Sequence, residues 1–206
     1  MSILKKNFFK TEEEQMLDRK YLEAIKGTPI YFQEQMNINK LLPTFPEEKQ
    51  FEIERIISTH KQFIYLQRKI NAEFTTETLF EIHRFLFEDL YYWAGELREN
   101  DMKKNENVFC RKSLLRYSLN ELFDNLKSKN YLKGMNPKEF SKNMTEFMVT
   151  LNYIHPFRDG NGRSKRTIID QIATNAGYSI DFSKVDKEIL LAAEIKHFNE
   201  YQEDKI

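Results

Sequence analysis

The chain has 206 residues, enough for one domain with a short extension and a sizeable core. Lys plus Arg and Asp plus Glu each number 32, so the formal net charge is zero, and interleaved signs argue against nucleic-acid binding by bulk charge. The single cysteine, Cys110, excludes an internal disulfide and fits a reducing cytoplasm. No run approaches the roughly 18 apolar residues of a membrane span, and residues 1–10 lack the apolar stretch of a signal peptide.

Six glycines and five prolines punctuate a pattern that is mostly helical in spacing. Thr11 and Glu14 read as a capping box, opening a helix with Leu17, Tyr21, Leu22 and Ile25 that Gly27 stops. Residues 28–45 read as loop with a short helix, so residues 1–45 form an N-terminal helical extension and 46–206 the main domain. Pro46 suits the first turn of a long helix whose apolar residues are Phe51, Ile56, Ile57, Phe63, Ile64 and Ile70. Thr76 caps the next helix, which carries Phe80, Ile82, Phe85 and Leu86, ends at Tyr91, Tyr92 and Trp93, and is broken by Gly95. Residues 96–110 lack helical periodicity and read as a loop or short β-hairpin. A helix then spans about 112–129 through Leu115, Leu119, Leu122 and Leu126. Asn136 as N-cap, Pro137 as first residue and Glu139 in the first turn open another, with a stripe of Phe140, Met144, Phe147, Met148 and Leu151. One more helix starts near Asn161, carries Ile168, Ile169, Ile172 and Ala176, and stops at Gly177. The last runs from about 186 to 201.

The segment 155–166 carries the chemistry. Pro156 disfavours the α conformation at His155, so the preceding helix ends there and leaves an imidazole beside its terminal carbonyls. That position suits a base that becomes cationic when it takes a proton. Gly160 and Gly162 bracket Asn161 where the next helix begins. Their backbone freedom and the helix N-terminus make an anion cradle. Arg163 and Arg166 lie three apart on one face and lean toward a bound polyphosphate. Asp159 is a hard oxygen ligand suited to Mg²⁺. A Walker loop is excluded by spacing, and a helical His155/Asp159 zinc pair is disfavoured by Pro156 and Gly160. Together these residues form a kit for phosphoryl or nucleotidyl transfer.

The segment resembles the Fic (Fic/Doc) family motif H-x-F-x-[DE]-G-N-G-R-x-x-R at every specified position. Upstream, Trp93-Ala94-Gly95-Glu96-Leu97-Arg98 looks like the W-A-G-x-x-R stretch that precedes that family's flap. The resemblance covers roughly residues 50–200. It implies an all-α bundle with a β-hairpin flap over the active site, and a protein adenylyltransferase that moves AMP from Mg-ATP to a Ser, Thr or Tyr hydroxyl. It implies His155 as general base and Asp159 as the Mg²⁺ ligand. Asn161, Gly160 and Gly162 would hold the α- and β-phosphates, Arg163 the β-phosphate side, and Arg166 the γ-phosphate. Lys104, Asn105, Glu106, Asn107, Val108 and Phe109 would form the flap, binding a target protein as an added strand. Phe157 is read as a buried anchor and Trp93 as core. Cys110 is read as a small apolar residue, and His60, His83 and His197 as surface or core residues. Arg158 and Ser164 receive no role.

Members of that family are often inhibited by a helix bearing [ST]-x-x-x-E-[GN], whose Glu pairs with the second motif Arg. No convincing copy occurs here, which leaves two readings: a separate antitoxin supplies that Glu, slightly the favoured one, or the enzyme is unrestrained or regulated otherwise. The competing readings are a related enzyme that uses another nucleotide or transfers phosphate, and a catalytically idle nucleotide-binding module.

Overall fold

The computed structural model describes residues 46–68, 73–104 and 107–182. The expected helices at 11–27 and 186–201, His197 and Ile70 lie outside these residues, as do Asn105 and Glu106. The described part is mostly helical: α1 (Glu47–Leu66), α2 (Thr76–Phe87), α3 (Leu115–Ser128), α4 (Pro137–Ile154) and α5 (Asn161–Asn175). Between α2 and α3 lie two short antiparallel strands, β1 (Lys103–Lys104) and β2 (Asn107–Val108), with Lys103 opposite Val108 and Lys104 opposite Asn107.

α4 forms where local chemistry says it should. The Asn136 side chain accepts from the amides of Lys138 and Glu139, and Glu139 reaches back to the Asn136 amide, a complete capping box with Pro137 at the first position. Its buried face is Phe140, Met144, Phe147, Leu151 and Ile154. α5 packs on α1, α2 and α4, and its buried Ile168, Ile169, Ile172 and Ala173 anchor the bundle. α3 packs on α4 through Leu119, Leu122, Phe123 and Leu126. Trp93, Cys110 and Phe157 are buried in the same core, as expected of them.

Three details differ from the sequence expectation. The cap of α2 is Thr75, not Thr76: Thr75 is extended and its hydroxyl accepts from the Thr78 amide. Buried Thr76 instead donates to Asn120 across to α3. α2 also stops at Phe87, and residues 88–90 and 92–95 continue as turns. The third difference concerns α1, which ends at Leu66 with Phe51 (78% exposed), Ile56, Phe63 and Ile64 turned outward. Facing inward are Ile53, Glu54, Ile57, Ser58 and Tyr65. The polar members of this line find partners on α5, so the helix is phased by its hydrogen bonds rather than by its largest apolar side chains.

Candidate active site

The site is built at the joint between α4 and α5. His155 closes α4 in the left-handed region (φ 47°, ψ 61°), its amide donating to Leu151 O at 3.1 Å. Left-handed backbone costs a residue with a Cβ about 1–2 kcal/mol, and such strain persists only where neighbours over-determine it. The main restraint is Arg98. Its Nε donates to His155 O at 2.8 Å, and its two terminal nitrogens donate to Asn100 O, Cys110 O and Ile154 O. The Arg98 amide adds a bond to Pro156 O at 2.9 Å. A buried guanidinium thus satisfies the end carbonyls of α4, the position where a cation opposes the helix dipole. Burial pulls its pKa below the ordinary value. The conspicuous Arg of the upstream motif is therefore a brace for the backbone at His155. On the other side of His155, the ring of Phe109 stacks at 4.1 Å between centroids, and the Cys110 amide donates to Tyr153 O. These contacts fix the end of the β1–β2 excursion to the α4–α5 joint.

The turn after His155 is closed by Asn161. Its Oδ1 accepts from the Phe157 amide at 2.9 Å and its Nδ2 donates to Phe157 O at 2.7 Å. The Asn161 side chain is thus spent on shaping the loop. Gly160 is the N-cap of α5 with φ +74°, and its carbonyl accepts from the amides of Arg163 and Ser164. The amides of Asn161 and Gly162 begin the helix and have no carbonyl one turn back within it, which leaves the cradle expected for an anion. Gly162, expected to share the unusual dihedrals, is instead ordinary helix.

Beneath the loop lies His83, which the sequence offered only as a surface or core histidine. Its Nδ1 accepts from the Gly95 amide at 2.7 Å, so Nε2 carries the proton and donates to Asp159 O at 3.0 Å. It stacks on Phe157 at 3.8 Å. Burial, first of all, pushes its pKa down to about 3; the charges of Arg163 and Arg84 act in the same sense and the Asp159 bond opposes them. It is a neutral, fixed-tautomer strut. Above it the Asp159 carboxylate is exposed, accepting from the Gly160 amide at 2.5 Å.

Arg163 and Arg166 fare differently. Arg166 is exposed on the first turns of α5. Arg163 is largely buried, its Nη2 2.6 Å from Glu54 Oε1 and its Nη1 donating to Ser58 Oγ at 2.7 Å. Tyr91 donates its hydroxyl to the other oxygen of Glu54. Burial, then this bond, raise the Tyr91 phenol well above its usual range. Glu54, Ser58 and Tyr91 carried no motif. The only signal was the polar spacing of Glu54, Ser58 and Gln62 along α1.

The described residues thus form a helical domain in which a histidine closes one helix and a short turn leads from it into the N-terminus of the next. Residues 73–173 match the Fic/DOC family, and the chain belongs to that family. Protein adenylyltransferase VbhT of Bartonella schoenbuchensis is 32% identical over 152 residues, covering 72% of this chain and 32% of VbhT. The N-terminal Fic domain of a VirB-translocated Bep effector from Bartonella quintana, solved with bound ADP, aligns at a TM-score of 0.71 with 28% identity, over 74% of this chain and 78% of that one. BepC of Bartonella tribocorum, solved with bound AMPPNP, aligns at 0.70 with 26% identity, over 74% and 80%. The chain spans less than two thirds of the length of the curated relatives it matches first.

Proposed function

We propose that the protein is an adenylyltransferase that moves AMP from Mg-ATP to a Ser, Thr or Tyr hydroxyl of another protein, with residues 46–206 as its Fic domain. The observation that carries this reading is the joint itself: His155 is held at the end of α4 while the next residues turn into an amide cradle that opens α5. Nucleotide-bound relatives of the same fold and the named activity of VbhT support it.

In this reading His155 takes the proton of the target hydroxyl, whose oxygen attacks the α-phosphorus in line. The new P–O bond forms as the bond to the β-phosphate breaks, and pyrophosphate leaves. The amides at the Asn161 and Gly162 end of α5 hold the phosphates, Arg163 supports the β-phosphate side and Arg166 the γ-phosphate. Asp159 suits Mg²⁺, which commonly takes one or two carboxylates plus substrate phosphates. Its exposed carboxylate beside the cradle offers that. Bound there, the ion would neutralise charge on the leaving group. The β1–β2 excursion, residues Lys104 to Phe109, serves as the flap on which a target strand docks. Its exposed Val108 and the Phe109–His155 stack favour that role. The exposed Arg166 is the place for a carboxylate from a separate antitoxin. No helix among the described residues is long and apolar enough to cross a membrane, and the reading places the enzyme in the cytoplasm.

The test is incubation with α-labelled ATP and Mg²⁺, with His155→Ala alongside. Label transferred to protein and abolished in the variant is expected, the loss of a general base being worth about 10²–10⁴-fold. Transfer from γ-labelled ATP alone would replace this reading with phosphotransfer.

A further inference from the structure

Arg163 is gripped from three directions before any nucleotide arrives. Glu54 holds Nη2, Ser58 holds Nη1, and the Phe87 ring lies 4.6 Å from the guanidinium carbon. The grip is itself supported. Ser58 donates to Glu54 O at 2.7 Å, and Tyr91 holds the second carboxylate oxygen. Glu54 is 7% exposed. A buried ion pair is a weak source of stability, since an apolar pair of similar volume often serves the fold as well. What it supplies is direction. With two nitrogens engaged on the α1 side, the guanidinium is fixed beside the loop, its Nη2 lying 3.9 Å from Asp159 Oδ1.

We infer that Glu54 is a positioning residue for the transfer step, acting through Arg163. This rests on the adenylyltransferase reading above. As the α-phosphate leaves the β-phosphate, negative charge grows on the departing pyrophosphate, on the side assigned to Arg163. A cation already fixed there need not reorganise during the reaction. Arg is long and carries much rotamer freedom, so without Glu54 and Ser58 the same charge would be spread over many positions. An interaction that matters as charge develops lowers kcat when lost and leaves ATP binding nearly unchanged. Glu54 therefore differs from an inhibitory glutamate, whose removal would raise the rate.

The experiment compares the full chain with Glu54→Gln, Tyr91→Phe and Arg163→Ala, measuring kcat and KM for ATP by transfer of α-label. Glu54→Gln is expected to lower kcat on the order of tenfold, with KM within about threefold of wild type. The same substitution in an Arg163→Ala background is expected to cost nothing further, because its effect passes through that side chain. Tyr91→Phe, which removes a single hydroxyl, carries the test if Glu54→Gln does not fold, and is expected to lower kcat in the same sense. A wild-type or raised kcat in these variants, or an equal loss with and without Arg163, would overturn the inference. A second readout needs no activity. In arginine-labelled protein the Arg163 guanidinium nitrogens should give separate NMR signals that merge in Glu54→Gln; unchanged signals would also overturn it. Wild-type protein that transfers no label while showing this merging would count against the adenylyltransferase reading alone.

Discussion

Replacing Gly160 by alanine tests the architecture of the loop with one methyl group. A Cβ there would lie 2.5 Å from Phe87 Cζ and 3.2 Å from His83 Nε2, inside a packed floor that has no room to retreat. Two costs add. Left-handed backbone (φ +74°) costs a Cβ-bearing residue about 1–2 kcal/mol, and overpacking a full site costs about 1–3 kcal/mol. The expected total is about 3 kcal/mol, or roughly 6–12 °C in Tm at this chain length. Gly134→Ala is the control, because that glycine is also left-handed (φ +77°) yet has nothing within 4 Å of the added carbon. It should show the backbone cost alone, about 1 kcal/mol. Urea unfolding of both variants at pH 7 measures the difference, about 2 kcal/mol with unchanged slope. If Gly160→Ala matches Gly134→Ala within about 0.5 kcal/mol, the claim that Phe87 and His83 fix the loop from below is wrong.

Two further outcomes are expected. Because the folded state holds His83 at a pKa near 3 against an unfolded value near 6.5, unfolding takes up a proton between these limits. The contribution is fully present above pH 6.5 and is lost as pH falls toward 3, at about 1.4 kcal/mol per pH unit. Chemical denaturation at pH 7 and pH 5 should therefore show His83→Gln with a pH dependence shallower than wild type by about 2 kcal/mol; equal dependence would mean that His83 is not held neutral. Arg98→Lys keeps the charge but loses the planar fork that reaches four carbonyls. It should destabilise by about 2–4 kcal/mol in thermal melts and lower transfer even where folded. A variant with wild-type melting would show that the end of α4 is held without it.

The parts of the fold legible in the sequence are those whose causes are local. Asn136, Pro137 and Glu139 specify the start of α4 among themselves, and Pro156 with Gly160 marks the break between α4 and α5. The inward face of α1 is not legible from apolar spacing, because its residues owe their position to partners far away in sequence. Glu54 and Ser58 meet Arg163, and Gln62 meets Thr167, while the apolar Phe51 and Phe63 face out. The shift from Thr75 to Thr76 has a similar origin, since both are plausible caps and only the contact with Asn120 on α3 draws Thr76 inside. At the site, the letters of segment 155–166 supplied the residue types on which the proposed transfer rests. They could not reveal that Asn161 is committed to Phe157, or that a histidine from α2 carries the turn.

The contiguous segment 155–166 is in one sense the least self-sufficient part of the protein. Arg98 from before β1, His83 from α2 and Glu54 from α1 hold it in shape. Grafted onto another pair of helices, it would bring its reactive groups without its scaffolding and should be inert. The same dependence cuts into inference from motifs. A relative with every motif letter intact, but with an apolar residue aligned to Glu54 or His83, would pass any pattern search and yet work poorly or not at all. Conversely, residues outside the pattern become the more informative places to look when two otherwise matching chains differ in rate.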